Sequence, residues 1–80
     1  MTPEPLLLHR IEPTRNMARF YRLSIEPNLF GGVSLVRTWG RIGGASRTKF
    51  LLCEDAREAE HLYLRISWNK QRRGYADRCG

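Results

Sequence analysis

Leu35-Val36-Arg37-Thr38-Trp39-Gly40-Arg41-Ile42-Gly43-Gly44 is the stretch on which the reading of this 80-residue chain turns. It has the pattern of a β-strand, Val33 to Ile42, that runs into a glycine turn, with Arg37, Trp39 and Arg41 at alternating positions. Side chains two apart on a strand share a face, so two guanidiniums flank one indole. Unpaired arginines are costly to bury, whereas Val36 and Ile42 take the opposite parity and suit a core. The expectation is that Val36 and Ile42 face a covering helix and that Trp39 is at least partly exposed. Leu35 and Val33 share the parity of Trp39, an interruption that a bulge would absorb. The plainer alternative is a core tryptophan, since tryptophans are usually well buried. An exposed indole beside guanidiniums can stack on a base or sugar while the arginines pair phosphates. Gly40 and Gly43 would let another backbone approach closely.

Working outward, Leu6 to Ile11 reads as a short edge strand ended by Pro13, which cannot donate to a ladder. Thr14-Arg15-Asn16 is a turn. Met17 to Glu26 is a strand in which Tyr21, Leu23 and Ile25 alternate with Arg22, Ser24 and Glu26. Pro27-Asn28 stops it, and Leu29-Phe30-Gly31-Gly32 connects it to the Val33 strand. After Gly43-Gly44-Ala45-Ser46, Arg47 to Cys53 returns as a fourth strand. Asp55 is placed to cap a helix, with Glu58 at its third position. The helix runs from Ala56 to about Arg72, and Ala59, Leu62, Tyr63, Ile66 and Lys70 form one face. Acidic residues open the helix, Lys70, Arg72 and Arg73 close it, and Gly74 caps it, which complements the helix dipole. Three to four antiparallel strands followed by one long C-terminal helix predict an α+β domain with the helix on one sheet face. Residues 1–80 form one domain, with 1–5 and 77–80 expected to fray.

The chain has 14 basic and 8 acidic residues, net charge +6, and a pI near 10.2. Twelve of the basic residues are arginine, whose planar fork suits phosphate and stacking contacts. Positive charge accumulates towards the C-terminus, where Lys70, Arg72, Arg73 and Arg78 surround Tyr75. Such a domain concentrates polyanions at its surface, and phosphate contacts from the helix end are expected. Trp68 shares a helix stripe with His61 and Leu64 and is expected to pack rather than to contact ligand.

Other classes find less support. No run of about 18 apolar residues is present for a membrane helix, and the N-terminal Leu6-Leu7-Leu8 lacks the basic start and length of a signal peptide. A cytoplasmic location is expected, in the nucleoid if the ligand is DNA. Cys53 and Cys79 form no CxxC pair, and with His9 and His61 they lack the paired spacing of a zinc site. Cys53 reads as a small buried hydrophobe. No nucleophile stands beside a base, and no phosphate-loop or dinucleotide fingerprint occurs, so neither catalysis nor a cofactor is expected.

Phe20-Tyr21-Arg22-Leu23, then Trp39-Gly40-Arg41-Ile42-Gly43, then Lys70 to Gly74-Tyr75 occur in the order and spacing that resemble a WGR domain, over roughly Asn16 to Tyr75. The resemblance is to a stand-alone bacterial-type member, without the catalytic domain that the WGR domains of poly(ADP-ribose) polymerases accompany. It implies a small sheet packed on one helix and binding to DNA, especially at breaks or strand ends. By matching motif, Trp39 would pack against a terminal nucleotide, and Arg41 corresponds to the arginine that relays the contact to neighbouring domains. Tyr75 is similarly placed after the lysine cluster, and Asn16 and Arg19 match polar and basic positions near the DNA surface. The chain departs from the family after Gly43, where Ser46 and Arg47 stand in place of the usual glycine and glutamine.

Residues and resemblance together predict a non-catalytic module that binds DNA through Trp39, Arg37, Arg41, Lys70, Arg72, Arg73, Tyr75, Asn16 and Arg19. No helix is patterned to read a major groove, so sequence readout is not expected, and RNA fits the same residues. The rival expectation is a protein-interaction module that docks an acidic partner or forms a homodimer through a sheet edge.

Overall fold

The computed structural model of the chain describes residues 4–77. The elements are β1 (Leu6–Glu12), a 3-10 turn (Pro13–Arg15), β2 (Met17–Pro27), β3 (Val33–Arg41), β4 (Ser46–Cys53), α1 (Ala56–Arg72) and β5 (Ala76–Asp77). Every strand pairing is antiparallel, in the order β4-β3-β2-β1-β5. The class is α+β, but the sheet has five strands where three to four are expected. The extra strand follows from Gly74, whose φ of +97° turns the chain back so that Ala76 and Asp77 pair with His9 and Leu8. Two residues carry no readable period, and Asp77 is paired rather than frayed. Residues 1–3 and 78–80, with Cys79 among them, lie outside the described residues; Glu4 is tied down, its carbonyl accepting from the Tyr63 hydroxyl at 3.0 Å.

The helix ends are built as their residues dictate. Asp55 Oδ1 accepts from the Glu58 amide at 2.9 Å, which satisfies one of the orphan donors of the first turn. At the other end the Gly74 amide donates to Gln71 O and the Tyr75 amide to Lys70 O. That paired closure with a left-handed glycine is a Schellman motif, and it aims Tyr75 back at the sheet.

Directly opposed residues of an antiparallel pair share a face. The helix-covered face therefore carries Leu8–Tyr21–Trp39–Arg47 in one row, Leu6–Leu23–Arg37–Lys49 in the next and Ile25–Leu35–Leu51 in the third. Leu8, Tyr21, Leu23 and Leu35 pack with Tyr63 of α1 as the core. This reverses the parity expected for β3: Leu35 is fully buried on the helix side, while Val36 lies on the opposite face and Ile42 sits beyond the strand, 40% exposed. Pairing of β3 with β4 is continuous from Val33 to Gly40, with no bulge. One face serves two purposes here. Its Leu35 end lies under the helix body, and its Trp39 end lies beside the helix terminus, where arginines reach water without changing parity. Ala59, Tyr63 and Ser67 are the buried helix positions, with Leu62 and Ile66 packed against the core.

Gly40, the middle residue of Trp-Gly-Arg, permits a close contact within the sheet. A Cβ on it would lie 2.4 Å from Ala45 O and 2.8 Å from Ser46 Cα. Gly43 has φ +77° and supplies the turn.

Candidate nucleic-acid interface

The site grows from Tyr21, whose ring contacts those of both Trp39 and Tyr75. Trp39 stacks on it from the neighbouring strand, with centroids 6.1 Å apart and planes 21° from parallel. Tyr75 meets it edge-on at 6.3 Å. Lys70 Nζ lies 4.6 Å over the Tyr21 ring and 5.6 Å from that of Tyr75, and the Arg37 guanidinium lies 5.1 Å over Trp39. Cations over ring faces are held by the ring quadrupole. Three elements, β2, β3 and the end of α1, thus converge on a platform of rings and cations. Trp39 is half-buried, as its charged neighbours imply, with one ring face against Tyr21.

Electrically the platform is unsatisfied. Burial, Arg73 and Arg37 together lower the Lys70 pKa from its usual 10.5. Burial raises the Tyr21 hydroxyl above 10.0, partly offset by Arg37. The Tyr21 hydroxyl and Arg37 Nε are both buried without a hydrogen-bond partner among the described residues. Buried polar atoms are almost always paired, so this pair marks a place with unused capacity.

Beyond the platform the next row across the sheet is Arg10–Arg19–Arg41. Like charges directly opposed on a sheet repel. Arg10 is neutralised by Glu12 at 3.0 Å, and Arg15 approaches the same carboxylate at 3.6 Å. Neither of these ion pairs involves Arg19 or Arg41, which face each other exposed. With Asn16, held at φ 50°, they line a concavity of about 290 Å³. A small anion fits that chemistry.

Of the residues marked from sequence, Trp39, Arg37, Lys70 and Tyr75 meet at the platform, Arg73 lies close enough to depress Lys70, and Arg19, Arg41 and Asn16 form the adjoining pocket. Arg72 is not among them. It sits about 200° round the helix from Lys70, with its guanidinium 4.7 Å over Trp68 on the outer surface. Trp68, expected to pack, is 61% exposed. Tyr21, Arg10, Arg47 and Lys49 belong to the same face and escaped sequence reasoning. Tyr21 shares parity with Leu23 and Ile25 and reads as core, which it also is. Arg47 and Lys49 alternate towards Leu51, a signal that would have placed them once the parity of β3 was known.

The sequence profile of the WGR domain family matches residues 4–80. A curated relative, described as "Uncharacterized protein y4dW" from Sinorhizobium fredii (strain NBRC 101917 / NGR234), is 43% identical over 76 residues, which is 95% of this chain. The chain spans 37% of that relative's length. No solved structure matches significantly. The chain belongs to the WGR domain family.

Proposed function

We propose that this WGR domain binds nucleic acid without catalysis, holding DNA backbone at the arginine pocket and stacking a terminal nucleotide or sugar against Trp39. The observation that carries the reading is the convergence of Trp39, Arg37, Lys70 and Tyr75 on Tyr21 with two buried polar atoms unpartnered. A phosphate there relieves two repulsions, of Lys70 with Arg73 and of Lys70 with Arg37. A second phosphate between Arg19 and Arg41 relieves a third. Affinity then comes mainly from phosphate neutralisation, with no base-edge readout. Half-burial of Trp39 favours an end or a break over the interior of a duplex, because a stacked pair leaves no base or sugar face free to meet the indole.

The test is titration of labelled blunt-ended, nicked and closed-circular duplexes at several salt concentrations. Binding should be measurable at low salt on all three, and tighter on the first two. Trp39→Ala should weaken end binding by about 1–3 kcal/mol, the usual size of a stacking contact, and change binding to closed circles far less. Absence of binding at low salt would overturn the reading, and equal losses on all substrates would remove the stacking role.

A further inference from the structure

The face of the sheet turned away from the helix carries large apolar side chains that the nucleic-acid reading leaves unused. Leu29 and Phe30 at the β2–β3 hairpin are 98% and 86% exposed, and Phe50 and Leu52 on β4 are 63% and 67% exposed. They are held in place. Asn28 Oδ1 accepts from the Phe30 and Gly32 amides at 2.8 and 3.1 Å, and the Asn28 amide donates to Gly32 O at 3.0 Å. A Cβ on Gly32 would lie 2.7 Å from Cys53 O, so the hairpin sits tight against the end of β4. Between the hairpin and Val36, Phe50 and Leu52 lies a groove of about 400 Å³.

The groove lies across the sheet face from Glu26 of β2 over Val36 of β3, and β4 with Phe50 and Leu52 borders it at the sheet edge. Among the described residues β4 is terminal in the sheet order, and its eight residues, Ser46 to Cys53, contain no proline and keep an unbroken register with β3. Exposed edges are usually blocked by charge, proline, bulges or brevity. Here only one end is guarded. Arg47 and Lys49 project on the helix side, opposite Trp39 and Arg37, whereas Phe50 and Leu52 project on the groove side.

We infer that the β4 edge receives an extended peptide strand of a partner protein, apolar where it passes Phe50 and Leu52 and acidic where it passes Arg47 and Lys49. Strand addition supplies main-chain hydrogen bonds, and alternate pockets give it specificity. Opposite charges across a strand pair attract, and like charges repel. Arg47 and Lys49 thus select acidic residues at one end. Glu54, which borders the apolar end, rejects them there and so sets strand direction. A second copy of this chain is a poorer occupant, since each copy carries net charge +6 and brings its own Arg47 and Lys49 to the seam. Phe50 and Leu52 lie on the sheet face opposite Trp39, whereas Arg47 lies on the platform face and is shared with the nucleic-acid reading.

The probe is a fluorescein-labelled peptide Val-Thr-Val-Glu-Thr-Glu, with Val-Thr-Val-Lys-Thr-Lys as its counterpart, titrated with the full chain by anisotropy. The acidic peptide should bind saturably, and the lysine peptide at least about tenfold more weakly, from two reversed cross-strand pairs. Arg47→Glu combined with Lys49→Glu should invert that order. Phe50→Ser and Leu52→Ser, both at exposed positions, should each weaken the acidic peptide while duplex DNA affinity stays unchanged. Equal binding of the two peptides, or unchanged binding in both serine variants with the fold intact by circular dichroism, overturns the inference. So does sedimentation showing a dimer abolished by Phe50→Ser while the peptide fails to bind.

Discussion

Neutralising the arginine pocket offers the most quantitative check on the interface. Arg19 and Arg41 oppose each other across β2 and β3 on the platform face, outside the ion pairs around Glu12. Together with Arg37, Arg47, Lys70 and Arg73 they give about six cations available to phosphates. Each neutralised phosphate contributes a log–log salt slope of about −0.9 on duplex DNA, so the wild-type slope should be about −5. Raising salt from about 50 to 200 mM should then cost about 10³-fold in affinity. Replacing both arginines by glutamine keeps their length and polarity but leaves about four cations, so the slope should fall to about −3.6 and the same salt step should cost about 150-fold. Removing both guanidiniums ends the repulsion between these directly opposed residues, so thermal stability should hold or rise. The assay is fluorescence anisotropy on a short blunt duplex across that salt range, with a thermal melt of each variant. A wild-type slope shallower than about −2, or an unchanged slope in the double variant, would refute the placement of phosphate between Arg19 and Arg41.

Other consequences are equally open to measurement. Gly40→Ala forces a methyl against Ala45 O; overpacking of this kind costs about 1–3 kcal/mol, and calorimetry should show a melting temperature lower by at least about 4 °C. Tyr21→Phe and Tyr63→Phe delete the same atom with opposite results: the Tyr21 hydroxyl is buried without a partner, so its loss stabilises or is neutral, whereas Tyr63 loses its bond to Glu4 O and about 1 kcal/mol. Burial raises the Tyr21 pKa above 10.0, so the fold holds this proton more tightly than the unfolded chain does. Its contribution is complete below pH 10.0 and is lost as pH rises through the folded value, and alkaline melts should show Tyr21→Phe losing less stability over that range than wild type. Lys70, lowered from 10.5, loses its charge earlier than an ordinary lysine. DNA affinity should therefore start to fall below pH 10.5, and Lys70→Arg should carry it further into the alkaline range.

How far the sequence reaches can be judged from β3. Its existence, its turn and its antiparallel partners were legible, because alternation and glycine turns act locally. So were both ends of α1, since Asp55 with Glu58 and Gly74 with Gln71 are contacts over a few residues. Which face of β3 meets the helix was not legible. Parity offers two choices, and the cost of burying arginine pointed to the wrong one. That cost applies only where the cover extends, and which part of the sheet the helix covers is set by long-range packing of Tyr63 and Lys70 against Tyr21. The two-residue β5 was hidden for the same reason, being settled by His9 and Leu8 far off in sequence, whereas the outward turn of Arg72 follows from helix periodicity alone.

The division of one sheet face between core and platform explains why Tyr21 occupies the centre of both. Tyr21 is 2% exposed and belongs to the core with Leu8, Leu23 and Leu35, yet both Trp39 and Lys70 rest against its ring. Its position fixes theirs. A smaller side chain there would leave a cavity in the core costing several kcal/mol and would also let Trp39 and Lys70 move, so stability and binding would fall together. Tyr21→Phe separates the two effects, since it keeps the ring and removes only the hydroxyl beside Arg37. If that variant binds blunt duplex as wild type does, the ring alone organises the platform. If affinity drops while stability holds or rises, the Tyr21 hydroxyl is a ligand contact.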